Sequence, residues 1–240
     1  FSILPSGARP QCAFRPGDHT LLRFIPLAEE QRQTYAEEVL NSLTHGFGLV
    51  LSAAGLAVLV VLATLFGDIW HIVSSTIFGS TLVFLYGAST LYHSARTRRM
   101  KRILRIVDHI AIFLLIAGTY TPFTMGLMRD GWGWTLLAIV WGLAIVGLLF
   151  KLFSQHRFHW SATTLYLAMG WISVFFMEPM AAAIPFGGLV LLVAGGLAYT
   201  AGVIFYGWHS LPYSHAIWHV FVLAGSVFHY LAVAFYVLPW

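Results

Sequence analysis

The chain has 240 residues, of which 59% are apolar and only 9% charged, against roughly 25% charged in an ordinary soluble domain, so a water-soluble globule is excluded. Nine of the 22 charged residues fall in positions 1–40, six basic ones lie between Arg96 and Arg105, and seven serve the other 190 positions, which belong in lipid. The net charge of +4 reads as a topological signal and contact with anionic headgroups; it does not indicate nucleic-acid binding.

Residues 1–37 contain neither a signal-peptide core nor a span and are expected to form a cytoplasmic N-terminal tail ahead of a transmembrane domain at 38–240. The single cysteine, Cys12, excludes an internal disulfide or a cysteine-based metal site. Stretches without Asp, Glu, Lys or Arg then run over 39–67, 69–95, 109–128, 131–150, 158–177 and 179–240, each meeting the ~20 residues that cross a ~30 Å hydrocarbon core. The last is too long for one helix and divides at the turn-forming run Gly-Trp-His-Ser-Leu-Pro-Tyr-Ser over 207–214.

Backbone groups in lipid must be satisfied within the segment, so the spans are helices. The fold class is therefore all-α, a seven-helix bundle with helices expected at 39–66, 70–95, 104–128, 132–153, 160–178, 183–206 and 214–238. Twelve of the 13 Lys and Arg residues flank one side, leaving Arg129 on the other, which places the N-terminus in the cytoplasm and the C-terminus outside. Gly79, Gly87, Gly118, Gly142, Gly147, Gly195, Gly196 and Gly202 are suited to close helix contact.

Ionisable residues kept inside spans are candidates for function. His215 and His219 share a helix face one turn apart, as two imidazoles binding one metal would, although spacing alone equally fits capping or interfacial residues. Three residues separate His93 from Arg96 at the end of helix 2, and three separate Arg105 from Asp108 at the start of helix 3. Helix 7 begins on the same side, with His215 and His219 within about 10 Å of that boundary.

Three histidines and a carboxylate from three helices thus share one membrane depth. Three His ligands with an open fourth position is the composition of a catalytic zinc site; imidazole also suits Cu, Ni or Fe. Asp108 is placed to orient a water or accept its proton, and Ser89, one turn before His93, to donate to an oxyanion. Glu38, Asn41 and His45 read as structural support, either capping helix 1 or bonding to the helix 2–3 loop. His109 points elsewhere than Asp108, His229 reads as a satisfied interior histidine, and Trp70, Trp132, Trp134, Trp160 and Trp240 fit interfacial belts.

The motifs Glu38-x-x-Asn41-x-x-Thr44-His45, Ser89-Thr-Leu-Tyr-His93, Val107-Asp108-His109, Gly118-Thr-Tyr-Thr-Pro122-Phe123, Ser214-His215-x-x-x-His219 and His229-Tyr230 together resemble the hemolysin III branch of the progestin and adiponectin receptor family, from about residue 37 to the C-terminus. The resemblance implies a multi-pass protein of the bacterial plasma membrane, with zinc (Zn2+) near the cytoplasmic face at His93, His215 and His219 and with Asp108 holding the zinc water. Related adiponectin receptors and alkaline ceramidases are associated with ceramide hydrolysis. The expected function is therefore zinc-dependent hydrolysis of a membrane-lipid amide or ester such as ceramide, with Asp108 and Ser89 catalytic. The alternative is a non-enzymatic receptor-like or pore-forming protein in which zinc clamps helices 2, 3 and 7.

Overall fold

The computed structural model of the protein describes residues 33–153 and 159–239. Most of the expected tail, with Cys12, and the segment holding Arg157 lie outside them. Helix α1 spans Tyr35–Phe66 and α2 Ile69–Ser94. Helix α3 spans Arg98–Pro122 and passes into a π-helical turn, Phe123–Leu127; α4 spans Gly131–Phe153. The fifth crossing is α5 (His159–Gly170), a 3-10 turn (Ile172–Phe176) and α6 (Met177–Ala183), followed by α7 (Phe186–Gly207) and α8 (Ser214–Tyr236).

Seven segments are long and apolar enough to cross a membrane, as expected, and no strand occurs among the described residues. α1 packs on α2, α2 on α3 and α7 on α8, and α8 closes back against α1. α2, α3 and α8 are the most buried, while α1 and α4–α7 turn most of their surface outward. Sites assembled from α2, α3 and α8 therefore sit in the interior of the bundle.

Three boundaries differ from expectation for identifiable reasons. α1 begins four residues early because Thr34 and Glu37 form a capping box: the Thr34 hydroxyl accepts from the Glu37 N–H and the Glu37 carboxylate from the Thr34 N–H at 2.7 Å. α3 begins six residues early, capped by Thr97, so the basic run from Arg98 onward is helical, with charged side chains that leave its backbone bonding untouched. The fifth crossing is broken where a single helix over 160–178 was expected. Pro179 has no N–H, and its ring would clash with the carbonyl four residues back, so no continuous α-helix passes through it; α5 stops at Gly170, and α6 restarts with Pro179 in its first turn.

The break occurs at a depth where backbone groups cannot be left to water. Tyr120 of α3 repairs it: its hydroxyl donates to the Gly170 carbonyl at 2.6 Å and accepts from the Ser173 N–H at 3.3 Å.

The glycines divide. A Cβ at Gly79, Gly118, Gly147, Gly195 or Gly202 would come within 3 Å of a side chain of a neighbouring helix, whereas one at Gly142 would meet nothing and those at Gly87 and Gly196 would make ordinary contact. The first five are the helix-packing positions, and the other three are not.

Candidate metal centre

α2 delivers His93 from its last turn, and α8 delivers His215 and His219 from its first two. The start of α8 is fixed by Tyr213, a left-handed residue (φ 58°) whose N–H donates to Glu37 at 3.1 Å, so the cap of α1 also registers α8. One donor atom of each histidine lies within 4.8 Å of the others, and the ring centroids are 4.6–5.1 Å apart. This cluster could hold a metal ion. It unites all three histidines that the shared-depth reading selects.

For His93 and His219 the neighbours fix which nitrogen faces the cluster. His93 Nδ1 lies 2.8 Å from Glu38 Oε2, and a carboxylate only accepts, so Nδ1 carries the proton and Nε2 keeps its lone pair. The Thr44 hydroxyl gives its proton to the Leu40 and Asn41 carbonyls at 3.0 and 2.9 Å. Its oxygen, 3.2 Å from His219 Nδ1, therefore accepts, and His219 Nε2 is likewise free to bind. The Nε2 atoms of His93, His215 and His219 are all buried without a hydrogen-bond partner among the described residues. Three orphaned Nε2 atoms in one cluster fit a borderline divalent cation, and the hydrogen-bonded Nδ1 atoms of His93 and His219 are its usual kind of support.

Glu38 also takes the Lys101 ammonium on its other oxygen, tying the α2–α3 boundary to α1. This links helix 1 to the start of helix 3, and it further puts the carboxylate directly behind a candidate ligand. His45 stacks on His219 with centroids 3.5 Å apart and rings 13° from parallel, fixing that ring's plane.

Asp108 is buried on α3. It is not one of the side chains whose donor atoms converge; the Ser89 hydroxyl lies close to its carboxylate, and Ser89 sits one turn from His93. Lys151 of α4, Tyr166 of α5 and Tyr206 of α7 lie within its electrostatic reach. The sequence offered no sign of these three, because each is a common interfacial residue on a helix with no motif.

His109 turns its Nδ1 to the Arg105 carbonyl at 2.7 Å. His229 bonds the Leu192 carbonyl at 3.1 Å through Nε2, with Nδ1 buried and unpartnered among the described residues.

Seven crossings with a histidine cluster buried at one end define a multi-pass membrane protein with a potential metal site. The chain belongs to the haemolysin-III related family, whose model matches residues 33–230. It is 47% identical over 203 residues to a hemolysin-3 homolog of Bacillus subtilis, covering 85% of this chain and 95% of that protein. Hemolysin-3 of Bacillus cereus is 44% identical over 207 residues, covering 86% and 94%. The human monocyte to macrophage differentiation factor is a more distant relative, 27% identical over 218 residues and 87% of each chain. The family resemblance carried by the motifs is thereby borne out.

Proposed function

We propose that the protein is a zinc-dependent hydrolase of a membrane-lipid amide or ester, with ceramide as the first substrate to test. The observation that supports this most directly is the cluster of three buried, unpartnered Nε2 atoms on His93, His215 and His219, with a further carboxylate, Asp108, buried on α3. A zinc ion at His93, His215 and His219 would supply Lewis acidity, polarising the carbonyl and making a water ionisable near neutral pH.

The chain's own groups do the rest. The lipid enters laterally, and the apolar bundle interior holds its acyl chain. Asp108 takes a proton from the water as the water oxygen bonds to the carbonyl carbon. The Ser89 hydroxyl donates to the oxygen that becomes negative. Asp108 then returns the proton to the leaving amine or alkoxide as the C–N or C–O bond breaks, giving a fatty acid and an amine or alcohol.

The test is metal content by elemental analysis on purified protein, paired with fatty-acid release from ceramide and a phospholipid panel. One zinc per chain with release abolished by chelator is expected. His219→Ala loses metal and activity, whereas Asp108→Ala keeps the metal and loses release. Zinc without release from any lipid overturns the hydrolase reading in favour of a structural metal, and conductance by metal-free protein in bilayers would favour a pore.

A further inference from the structure

Tyr206 lies one residue from the end of α7, on a helix that contributes none of the three histidines. Its ring is 4.8 Å from that of Trp218 and 6.1 Å from that of His215, tilted by about 50° to both. The phenol is also within electrostatic reach of Asp108 and Arg105. It therefore lies near both a candidate metal ligand and the candidate proton acceptor.

Its hydroxyl differs from those of five other tyrosines of the bundle. Tyr86 donates to Ser226 at 2.8 Å, Tyr120 to Gly170, Tyr166 to the His109 carbonyl at 2.9 Å, and Tyr230 to the Gly55 carbonyl at 3.2 Å, while Tyr199 shares Ser226. The Tyr206 hydroxyl has no hydrogen-bond partner among the described residues. Nor is it one of the unsatisfied atoms of the interior that protein atoms seal off. A tyrosine serving only as an interfacial anchor would not need its ring packed against Trp218 and His215.

We infer that Tyr206 is a substrate-binding and catalytic residue, whose O–H donates to the carbonyl oxygen of the lipid amide or ester from α7, as Ser89 does from α2. This rests on the hydrolase reading above. The phenol keeps its proton throughout, and the hydrogen bond strengthens as the oxygen becomes negative, so the gain falls mainly on the transition state.

Tyr206→Phe in the full-length chain keeps the ring packing and removes only the donor. The probe is acetohydroxamate, which offers a carbonyl oxygen and an oxyanion to a metal, titrated into the Co2+-loaded protein and followed in the visible cobalt bands. Metal content, thermal stability and the probe-free cobalt spectrum are expected to match wild type. The hydroxamate dissociation constant should rise about tenfold, the worth of one hydrogen bond to a charged group, and where a lipid is turned over kcat should fall about a hundredfold with KM little changed. An unchanged hydroxamate affinity overturns the inference, as does a loss of metal in Tyr206→Phe, which would make Tyr206 a support for His215. A wild-type cobalt spectrum blind to hydroxamate also overturns it. Absence of lipid hydrolysis in wild type, with the hydroxamate difference intact, strikes the hydrolase reading alone.

Discussion

Glu38 Oε2 and His93 Nδ1 stand 2.8 Å apart although 55 residues separate them in the chain. The carboxylate holds the imidazole in the tautomer that leaves Nε2 available and raises its basicity as a ligand. Glu38→Gln keeps an acceptor but loses the charge and the pairing with Lys101. Metal affinity in this variant is expected to fall about 10- to 100-fold, as read by competition with a chromogenic chelator, while helix content stays the same. Wild-type affinity would show that Glu38 serves only to fasten α1 to α3.

Tyr120 holds the broken fifth crossing together through a single oxygen. Tyr120→Phe leaves the ring in place and strands the Gly170 carbonyl and the Ser173 N–H where no water replaces the hydroxyl. A loss of about 1–3 kcal/mol is expected, measured as a lowered denaturation midpoint in one fixed detergent. An unchanged midpoint would mean that the break is hydrated.

Gly118 and Gly142 look alike in sequence and differ in the bundle. A Cβ at Gly118 would sit 2.3 Å from Thr81 Oγ1 and 2.9 Å from its Cγ2, and one at Gly142 would meet nothing. Thr81 is buried, with its hydroxyl held by the Phe78 carbonyl at 2.7 Å, so it cannot swing aside without losing that bond. Gly118→Ala should cost about 1–3 kcal/mol, whereas Gly142→Ala should leave stability unchanged or slightly raised. Thermal melts of the two variants side by side check both.

These contrasts mark where sequence reasoning stops. Number of crossings and depth of each polar residue follow from hydropathy and charge, since lipid imposes the same rule on every span, and depth alone was enough to group His93 with His215 and His219. Rotation about a helix axis and distance between non-adjacent helices leave no local trace. Gly118 and Gly142 were therefore indistinguishable, and Tyr206 was one interfacial aromatic among many. Glu38 announced its helix end, yet nothing local said which histidine it would face. The break before Pro179 did have a signal, the proline itself, which the apolar run around it concealed.

At the other end of the bundle, Asp68 and Arg129 join the α1–α2 and α3–α4 connections, with Arg129 Nη2 3.0 Å from Asp68 Oδ1 and Nη1 on Oδ2. The guanidinium holds the Asp68 carboxyl well below the usual carboxylate range. Because the folded-state value is depressed, the pair contributes in full above about pH 4, the ordinary aspartate value. The contribution is lost as pH falls below that, where the unfolded chain takes up its proton first. Both side chains are at least a third exposed, so screening keeps the contribution below about 1 kcal/mol. Asp68 also caps α2, accepting from the N–H groups of Trp70 and His71; asparagine caps equally well, so Asp68→Asn isolates the charge. The melting-temperature advantage of wild type over Asp68→Asn is expected to be equal at pH 7 and pH 5 and to shrink toward pH 3. An advantage that persists undiminished at pH 3 would assign the effect to the cap, with no contribution from the ion pair.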